Sequence, residues 1–231
     1  MAGGYRAGTA RGTPGPLESR LSGTGRFADD LWLLAHHEVT GRPYLRGRQL
    51  GLGLAGGLLA ELMTGPGPAV RLWFDGVLEV RPDVPPRAVQ AHPLLRQIAG
   101  EPELLPVRDW LEFMARTAPA ETAGRLEAAG YLTCPPGRRL LSRPARPVPA
   151  DPDWAFAAMA RVTAALRRPS GTYGTVLAAL AAACGLGYRL DQYLPGAATA
   201  AHAAAAALPG ELQQLITQTR TAVSATVLSR T

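Results

Sequence analysis

The sequence predicts a mainly α-helical fold with two short β-hairpins, and three observations indicate it. Apolar side chains recur every three or four residues through most of the chain, which is the spacing of one helix face. Two interruptions of that pattern carry turn residues between short runs that favour strands. Apolar residues make up 47% of the 231 and charged residues 18%, so a core can form without a disulfide framework. This composition excludes collagen-like, disulfide-rich and membrane-spanning proteins.

The first predicted helix begins at Phe27. Asp29 and Asp30 fall in its first turn, where the helix dipole favours anions, while Leu31 and Leu34 follow at helical spacing. After a break at 40–43, residues 48–63 form a second predicted helix.

The second helix contains glycines at 51, 53, 56 and 57. Each glycine costs a helix about 1 kcal/mol relative to alanine. Although 51–56 matches the spacing of a dinucleotide-binding loop, no strand precedes it. We therefore interpret the glycines as sites of close helix packing.

Two hairpins interrupt the helices. Asp75-Gly76, between the runs 70–74 and 77–80, predicts a hairpin with a type I′ turn. A second, less regular hairpin is predicted over 131–142, with strands at 131–134 and 138–142 on either side of a Pro-Pro-Gly turn. A proline-rich connector is predicted at 144–152. The remaining predicted helices cover 88–99, 107–116, 119–129, 153–168, 172–185, 197–207 and 211–228.

The positive charge is concentrated in two segments. The net charge of +6 combines +3 in residues 1–26, −3 in 27–133, +5 in 134–168 and +1 in 169–231. The chain contains no lysine, so its basic groups are planar guanidiniums, which suit phosphate. Residues 1–25 are predicted to be a disordered basic arm, and 26–231 a single domain. This polarity indicates an anionic partner, either nucleic acid or lipid headgroups.

No catalytic or metal-binding pattern is recognisable. The adjacent His36 and His37 point to different sides of a helix, and Cys134 and Cys184 lack ligand spacing. We predict that the chain is not an enzyme and has no cofactor and no metal site. No signal-peptide core or run of about 20 apolar residues occurs. A cytoplasmic protein with peripheral membrane contact is expected.

Residues 107–142 have the layout of a winged helix-turn-helix, in which Arg138 and Arg139 would be the wing. The helix that would enter the DNA groove carries Arg125 as its one basic residue, together with Glu121 and Glu127, which DNA would repel. The same hairpin could instead place Leu140 and Leu141 in a membrane surface, with arginines around them.

Four stretches resemble the Golgi phosphoprotein 3 family. FADDLWLLA (27–35), followed by Thr40-Gly41-Arg42, is similar to the opening of that family. LAGGLLAEL (54–62), Asp109-Trp110-Leu111 and RLEAAGYL (125–132) are similar to its later segments, and the order carries through about 26–231. The composition resembles a prokaryotic branch.

The resemblance implies a mostly helical peripheral membrane protein. Eukaryotic members recognise phosphatidylinositol 4-phosphate, bind the cytosolic tails of Golgi glycosyltransferases and link them to vesicle coats. A hairpin corresponding to 131–142 is implicated in membrane contact and self-association. The expected function is therefore that of a peripheral membrane adaptor that binds anionic phospholipid headgroups, by family resemblance phosphatidylinositol 4-phosphate, with a possible homo-oligomer formed through that hairpin.

The family's headgroup site contains a tryptophan, an arginine in the glycine-rich helix and two further arginines. These positions align with Arg46, Ala55, Arg116 and Pro119, so only Arg116 matches. Together with the arginines nearby in sequence, the resemblance implies a headgroup site made of Arg42, Arg46, Arg48 and Arg116. The membrane-contacting hairpin would use Arg138, Arg139, Leu140 and Leu141. A winged-helix nucleic-acid binder is the alternative, and an interaction protein that oligomerises through the hairpin is a third hypothesis. The sequence indicates no protein partner.

Overall fold

A computed structural model of the chain describes residues 23–64, 67–134, 146–168 and 171–228. These ranges hold eleven helices and four short strands, which confirms the mainly α fold. In chain order they are α1 (Phe27–Ala35), α2 (Gly47–Thr64), β1 (Val70–Leu72), β2 (Leu78–Val80), α3 (Pro86–Ala91), α4 (Pro93–Gly100), α5 (Val107–Met114), α6 (Ala118–Ala128), β3 (Leu132–Thr133), β4 (Val148–Pro149), α7 (Asp153–Arg167), α8 (Thr172–Ala183), α9 (Gly187–Tyr193), α10 (Ala197–Ala205) and α11 (Gly210–Leu228).

Helix α1 lies at the centre of the core. All nine of its residues are buried, because α2, α6, α7 and α8 pack around it. Its sequence is apolar on every side apart from Asp29 and Asp30, as expected for a helix enclosed by others. The core is therefore arranged around α1.

The two aspartates of α1 are buried and paired with basic groups from other helices. The Arg125 guanidinium of α6 donates to Asp29, with Nε 2.9 Å from Oδ1. The Arg161 guanidinium of α7 and the Tyr173 hydroxyl of α8 each lie 2.8 Å from Oδ2 of Asp30. Burial raises the pKa of Asp29 although Arg125 opposes it, and burial together with Asp30 raises the pKa of Tyr173. These bonds tie α1 to three neighbouring helices.

The glycines of α2 are positions of close packing, as the sequence predicts. A Cβ on Gly53 would lie 2.9 Å from Cβ of Cys184, and one on Gly57 would lie 2.9 Å from the backbone nitrogen of Ala28. A Cβ on Gly51 would clash with the carbonyl oxygen of Ala115. The absence of side chains thus lets α2 approach α1 and the segment that follows α5.

The first hairpin forms where predicted, but its turn is of another type. Val70 pairs with Val80, and Leu72 pairs with Leu78. A type I′ turn needs positive φ at two residues, whereas Gly76 has a φ of +88° and Asp75 does not have positive φ. Trp73 N–H donates to the Val77 carbonyl and Gly76 N–H donates to the Trp73 carbonyl. The loop therefore has three residues, with glycine in the left-handed position.

The second sheet joins β3 to a strand later in the chain than expected. Leu132 pairs with Pro149 and Thr133 pairs with Val148, so part of the predicted connector 144–152 is β4. The predicted return strand at 138–142 lies outside the described residues. The connector was predicted from its prolines, yet Pro149 lies at the edge of a two-stranded sheet, where a missing N–H is tolerated.

Two predicted helices have different bounds in the structure. The prediction at 88–99 divides into α3 and α4 at Pro93, because proline forces the preceding His92 into an extended conformation. The helix predicted at 172–185 is α8, which ends at Ala183. Gly185 then adopts a φ of +101°, and the unpredicted helix α9 follows. None of the helices in the described ranges is long and apolar enough to cross a membrane.

Replacing Gly51 with alanine should destabilise the protein. Intrinsic helix propensity alone would favour alanine by about 1 kcal/mol, but the new Cβ meets the Ala115 carbonyl. Such overpacking costs about 1–3 kcal/mol. Urea unfolding measures the change. The matched control is Gly124→Ala in α6, where a Cβ would meet nothing within 4 Å, and there a gain in stability is expected. A gain at Gly51 as well would contradict the close packing of α2.

The stability of the protein should fall between pH 6.5 and pH 4 because of His36. This side chain is buried, stacks on Trp32 with 3.7 Å between the ring centroids, and has Nδ1 2.7 Å from the Trp32 carbonyl oxygen. Burial lowers the pKa of His36 from 6.5 to about 4. Below pH 6.5 the unfolded chain takes up a proton that the folded chain refuses, so acid lowers the free energy of unfolding.

The test is His36→Gln, which keeps a hydrogen-bond donor and removes the titration. Between pH 7 and pH 5 the wild type should lose about 2 kcal/mol more than the variant in urea unfolding. Because Asp29 and Glu61, whose pKa values burial raises, are present in both proteins, the difference isolates His36. Parallel pH profiles of the two proteins would refute this assignment.

Candidate functional site

Three arginines line one groove on the surface. Arg48 comes from the first turn of α2, Arg108 from the first turn of α5, and Arg116 from the segment between α5 and α6. The groove has a volume of about 750 Å³. Its full lining, which we call the basic groove, is Gly47, Arg48, Arg108, Asp109, Glu112, Ala115, Arg116 and Pro119.

The packing of α2 against the end of α5 creates this groove. Gly51 touches the Ala115 carbonyl, and Arg48 lies three residues earlier, on the same face of α2. Arg108 and Arg116 lie four residues before and after Glu112, a spacing that places side chains along one side of a helix. The close approach at Gly51 therefore brings Arg48 beside the side of α5 that bears Glu112.

The groove contains both free and paired guanidiniums. Arg48 Nη2 lies 2.7 Å from Glu112 Oε2, in an ion pair whose side chains are 57% and 30% exposed. Arg108 and Arg116 are exposed, and neither pairs with an acid of the described residues. The formal charge of the lining is +1, because Asp109 and Glu112 accompany the three arginines.

The structure brings together part of the predicted headgroup set. Arg48 and Arg116 line the basic groove, as does Pro119, whereas Arg42 and Arg46 do not. Arg42 follows Gly41, which lies against the carbonyl of Pro147 beside β4.

Arg46 is exposed just before α2 begins, and its backbone N–H donates to Gln49 Oε1. The predicted membrane-contacting residues Arg138, Arg139, Leu140 and Leu141 lie outside the described residues.

Arg108 is the basic residue that the sequence prediction missed. The sequence feature that could have identified Arg108 is its spacing from Glu112 and Arg116. Intervals of four residues place these two arginines and one acid on one side of α5 and its extension. The prediction favoured arginines close in sequence to the glycine-rich helix instead. Convergence with Arg48 depends on tertiary packing.

Under the winged-helix hypothesis, α6 would enter a DNA groove. Its arginine, Arg125, is not available to bind DNA, because it is paired within the protein. Arg125 of α6 is bound to buried Asp29, while Glu121 and Glu127 of the same helix are exposed. The outer surface of α6 therefore has the charge sign that repels a phosphate backbone.

The histidines near α1 are occupied by local contacts. His36 Nδ1 bonds to the Trp32 carbonyl, and His37 Nδ1 accepts from the backbone N–H groups of Val39 and Thr40. Across the part of the chain that the structure describes, no three histidine, cysteine, aspartate or glutamate side chains are grouped to hold a metal ion.

Comparison with known proteins adds one finding. The model of the family described as Golgi phosphoprotein 3 (GPP34) matches residues 27–226, which is most of the chain. No curated protein gives a significant match. The matched range contains every residue of the basic groove.

Proposed function

The chain belongs to the Golgi phosphoprotein 3 family, and from this membership we propose that it is a peripheral membrane protein that binds phospholipid headgroups in the basic groove. The ligand class is an anionic phospholipid, with phosphatidylinositol 4-phosphate as the family's example. An adaptor role toward protein partners rests on family membership alone.

The observation that carries the proposal is the convergence of Arg48, Arg108 and Arg116. Guanidiniums present several N–H donors in a plane, which match the oxygens of a phosphate. Two of these groups have no acidic partner in the described chain, so their donors can bind a ligand without first losing an ion pair.

The pair between Arg48 and Glu112 does not prevent phosphate binding. Both side chains reach solvent, and an exposed ion pair is worth about 0–1 kcal/mol. A phosphate oxygen can therefore replace the Glu112 carboxylate at Arg48 at small cost. In the unliganded groove Glu112 holds Arg48 near α5.

Two arginines of the family's headgroup site are absent from this chain, and arginines at other positions line its groove. Ala55, which stands where the family has an arginine, is fully buried in α2. Pro119, which lines the groove, stands where the family has a second arginine that this chain lacks. Arg48 and Arg108 supply two guanidiniums from other positions along the same groove. We propose that they replace the two missing charges.

Neutralising Arg108 and Arg116 together should strongly weaken binding to anionic vesicles. Each guanidinium near such a surface contributes about 1 kcal/mol, so Arg108→Gln with Arg116→Gln should reduce affinity roughly 30-fold. Co-flotation with phosphatidylcholine vesicles that contain phosphatidylglycerol or phosphatidylinositol 4-phosphate measures the change.

The matched control is Arg87→Gln with Arg220→Gln, which removes the same charge from exposed sites outside the groove. An equal loss in both double variants would mean that net charge, rather than the groove, drives binding. Steeply salt-dependent binding to duplex DNA, with no preference for vesicles, would favour the nucleic-acid alternative.

Removing the Glu112 charge should have the opposite effect. Glu112→Gln raises the formal charge of the groove from +1 to +2 and releases Arg48 for phosphate. One additional charge near an anionic surface predicts affinity higher by about fivefold. Vesicle titration at low salt measures it, with Glu103→Gln, an exposed acid outside the groove, as the control. Weaker binding by Glu112→Gln would show that the ion pair is needed to position Arg48.

A further inference from the structure

A second groove lies beside the basic groove, on another side of α5. It has a volume of about 330 Å³ and extends from the end of α4 to the side chains of Asp109, Trp110 and Phe113. Asp109 lines both grooves, so they meet at this residue. We call the second one the aromatic groove.

The aromatic groove is more acidic than the basic groove. Its charged residues are Glu101, Asp109 and Arg96, for a formal charge of −1. Asp109 is exposed, and its carboxylate has no partner among the described side chains. Apart from the shared Asp109, the basic side of α5 carries a formal charge of +2 and the aromatic side a formal charge of 0.

Two aromatic rings form one wall beside these carboxylates. Phe113 is 55% exposed and contacts Trp110 edge to face, with 6.2 Å between the ring centroids. Aromatic faces and carboxylates both attract an organic cation. The indole N–H of Trp110, one of the two aromatic residues, is itself buried and bonds to no group in the described ranges.

A ligand that fits both grooves carries a phosphate and a cation close together. We propose, on the basis of the function proposed above, that the two grooves jointly bind a phospholipid headgroup with a phosphodiester and a primary ammonium. The phosphate lies against Arg108 and Arg116, and the ammonium lies between Asp109 and the ring of Phe113.

A primary ammonium fits better than a quaternary one. It carries three N–H donors that carboxylates accept, whereas a quaternary ammonium offers none and would interact with the rings alone. A basic protein side chain would leave the guanidiniums of the neighbouring groove unoccupied. The pairing of opposite charges across Asp109 therefore favours an ethanolamine phosphate headgroup.

The experiment changes the headgroup at constant vesicle charge. Vesicles contain a fixed fraction of phosphatidylglycerol, and phosphatidylethanolamine replaces phosphatidylcholine stepwise. The wild-type protein should bind severalfold more tightly as phosphatidylethanolamine increases. Asp109→Asn should lose this increase, and Phe113→Leu should reduce it. Because Asp109 also lines the basic groove, each variant is compared with its own binding to vesicles without phosphatidylethanolamine, which Asp109→Asn should strengthen by adding one formal charge to that groove.

Glu103→Gln is the control, because Glu103 is exposed and lines neither groove. Glu103→Gln should keep the full response to phosphatidylethanolamine. An effect of phosphatidylethanolamine on bilayer packing alone would act equally on the wild type and on every variant, Asp109→Asn included. A wild-type protein that ignores the replacement, or an Asp109→Asn variant that keeps the increase, would overturn the inference.

A second measurement separates this inference from the proposed function. Soluble phosphoethanolamine should shift the indole N–H resonance of Trp110 in NMR spectra, and inorganic phosphate should shift it less. If vesicles with phosphatidylglycerol do not bind but this shift occurs, membrane binding fails while the site stands. If phosphatidylglycerol vesicles bind but the resonance does not move and phosphatidylethanolamine has no effect, the two-groove inference fails alone.

Discussion

The burial of Asp29 and Asp30 in α1 is the constraint on which the arrangement of helices depends. A buried carboxylate without a partner costs several kcal/mol, and removing one partner of a buried pair costs about 3–5 kcal/mol. Arg125, Arg161 and Tyr173 must therefore reach α1 from three different helices. Because their side chains have fixed lengths, α6, α7 and α8 are held at defined positions around it. The apolar residues of α1 supply burial, and its two charges specify which neighbours surround it.

This arrangement positions the basic groove through a short series of contacts. Gly57 allows α2 to lie against Ala28 of α1, and Gly51 allows the first turn of the same helix to lie against Ala115. Arg48 is thereby placed beside Glu112 of α5. A side chain at Gly51 would push this turn away from α5 and separate the guanidiniums. The glycines of α2 thus contribute to the site without touching a ligand.

Local patterns predict most of the helices and the first hairpin, since helical spacing and the Asp75-Gly76 turn signal depend on neighbours in sequence. They could not show that α1 is enclosed, that β3 pairs with Val148 and Pro149, or that Gly185 separates two helices. The site shows the same limit. Arg46 is close in sequence to the glycine-rich helix and stays outside the groove, whereas Arg108 enters it through packing between distant segments.

Net charge alone would place the site wrongly, because many arginines already have partners. Arg125 and Arg161 neutralise buried aspartates, and Arg71 pairs with Glu79. Counting charges along the sequence gives all of these the same weight as Arg108 and Arg116, although a guanidinium paired with a carboxylate has fewer donors left for a ligand. The electrostatic character of the surface is set by what remains after the core has been neutralised. Part of that remainder lies along α5, with positive charge at Arg108 and Arg116 and negative charge at Asp109.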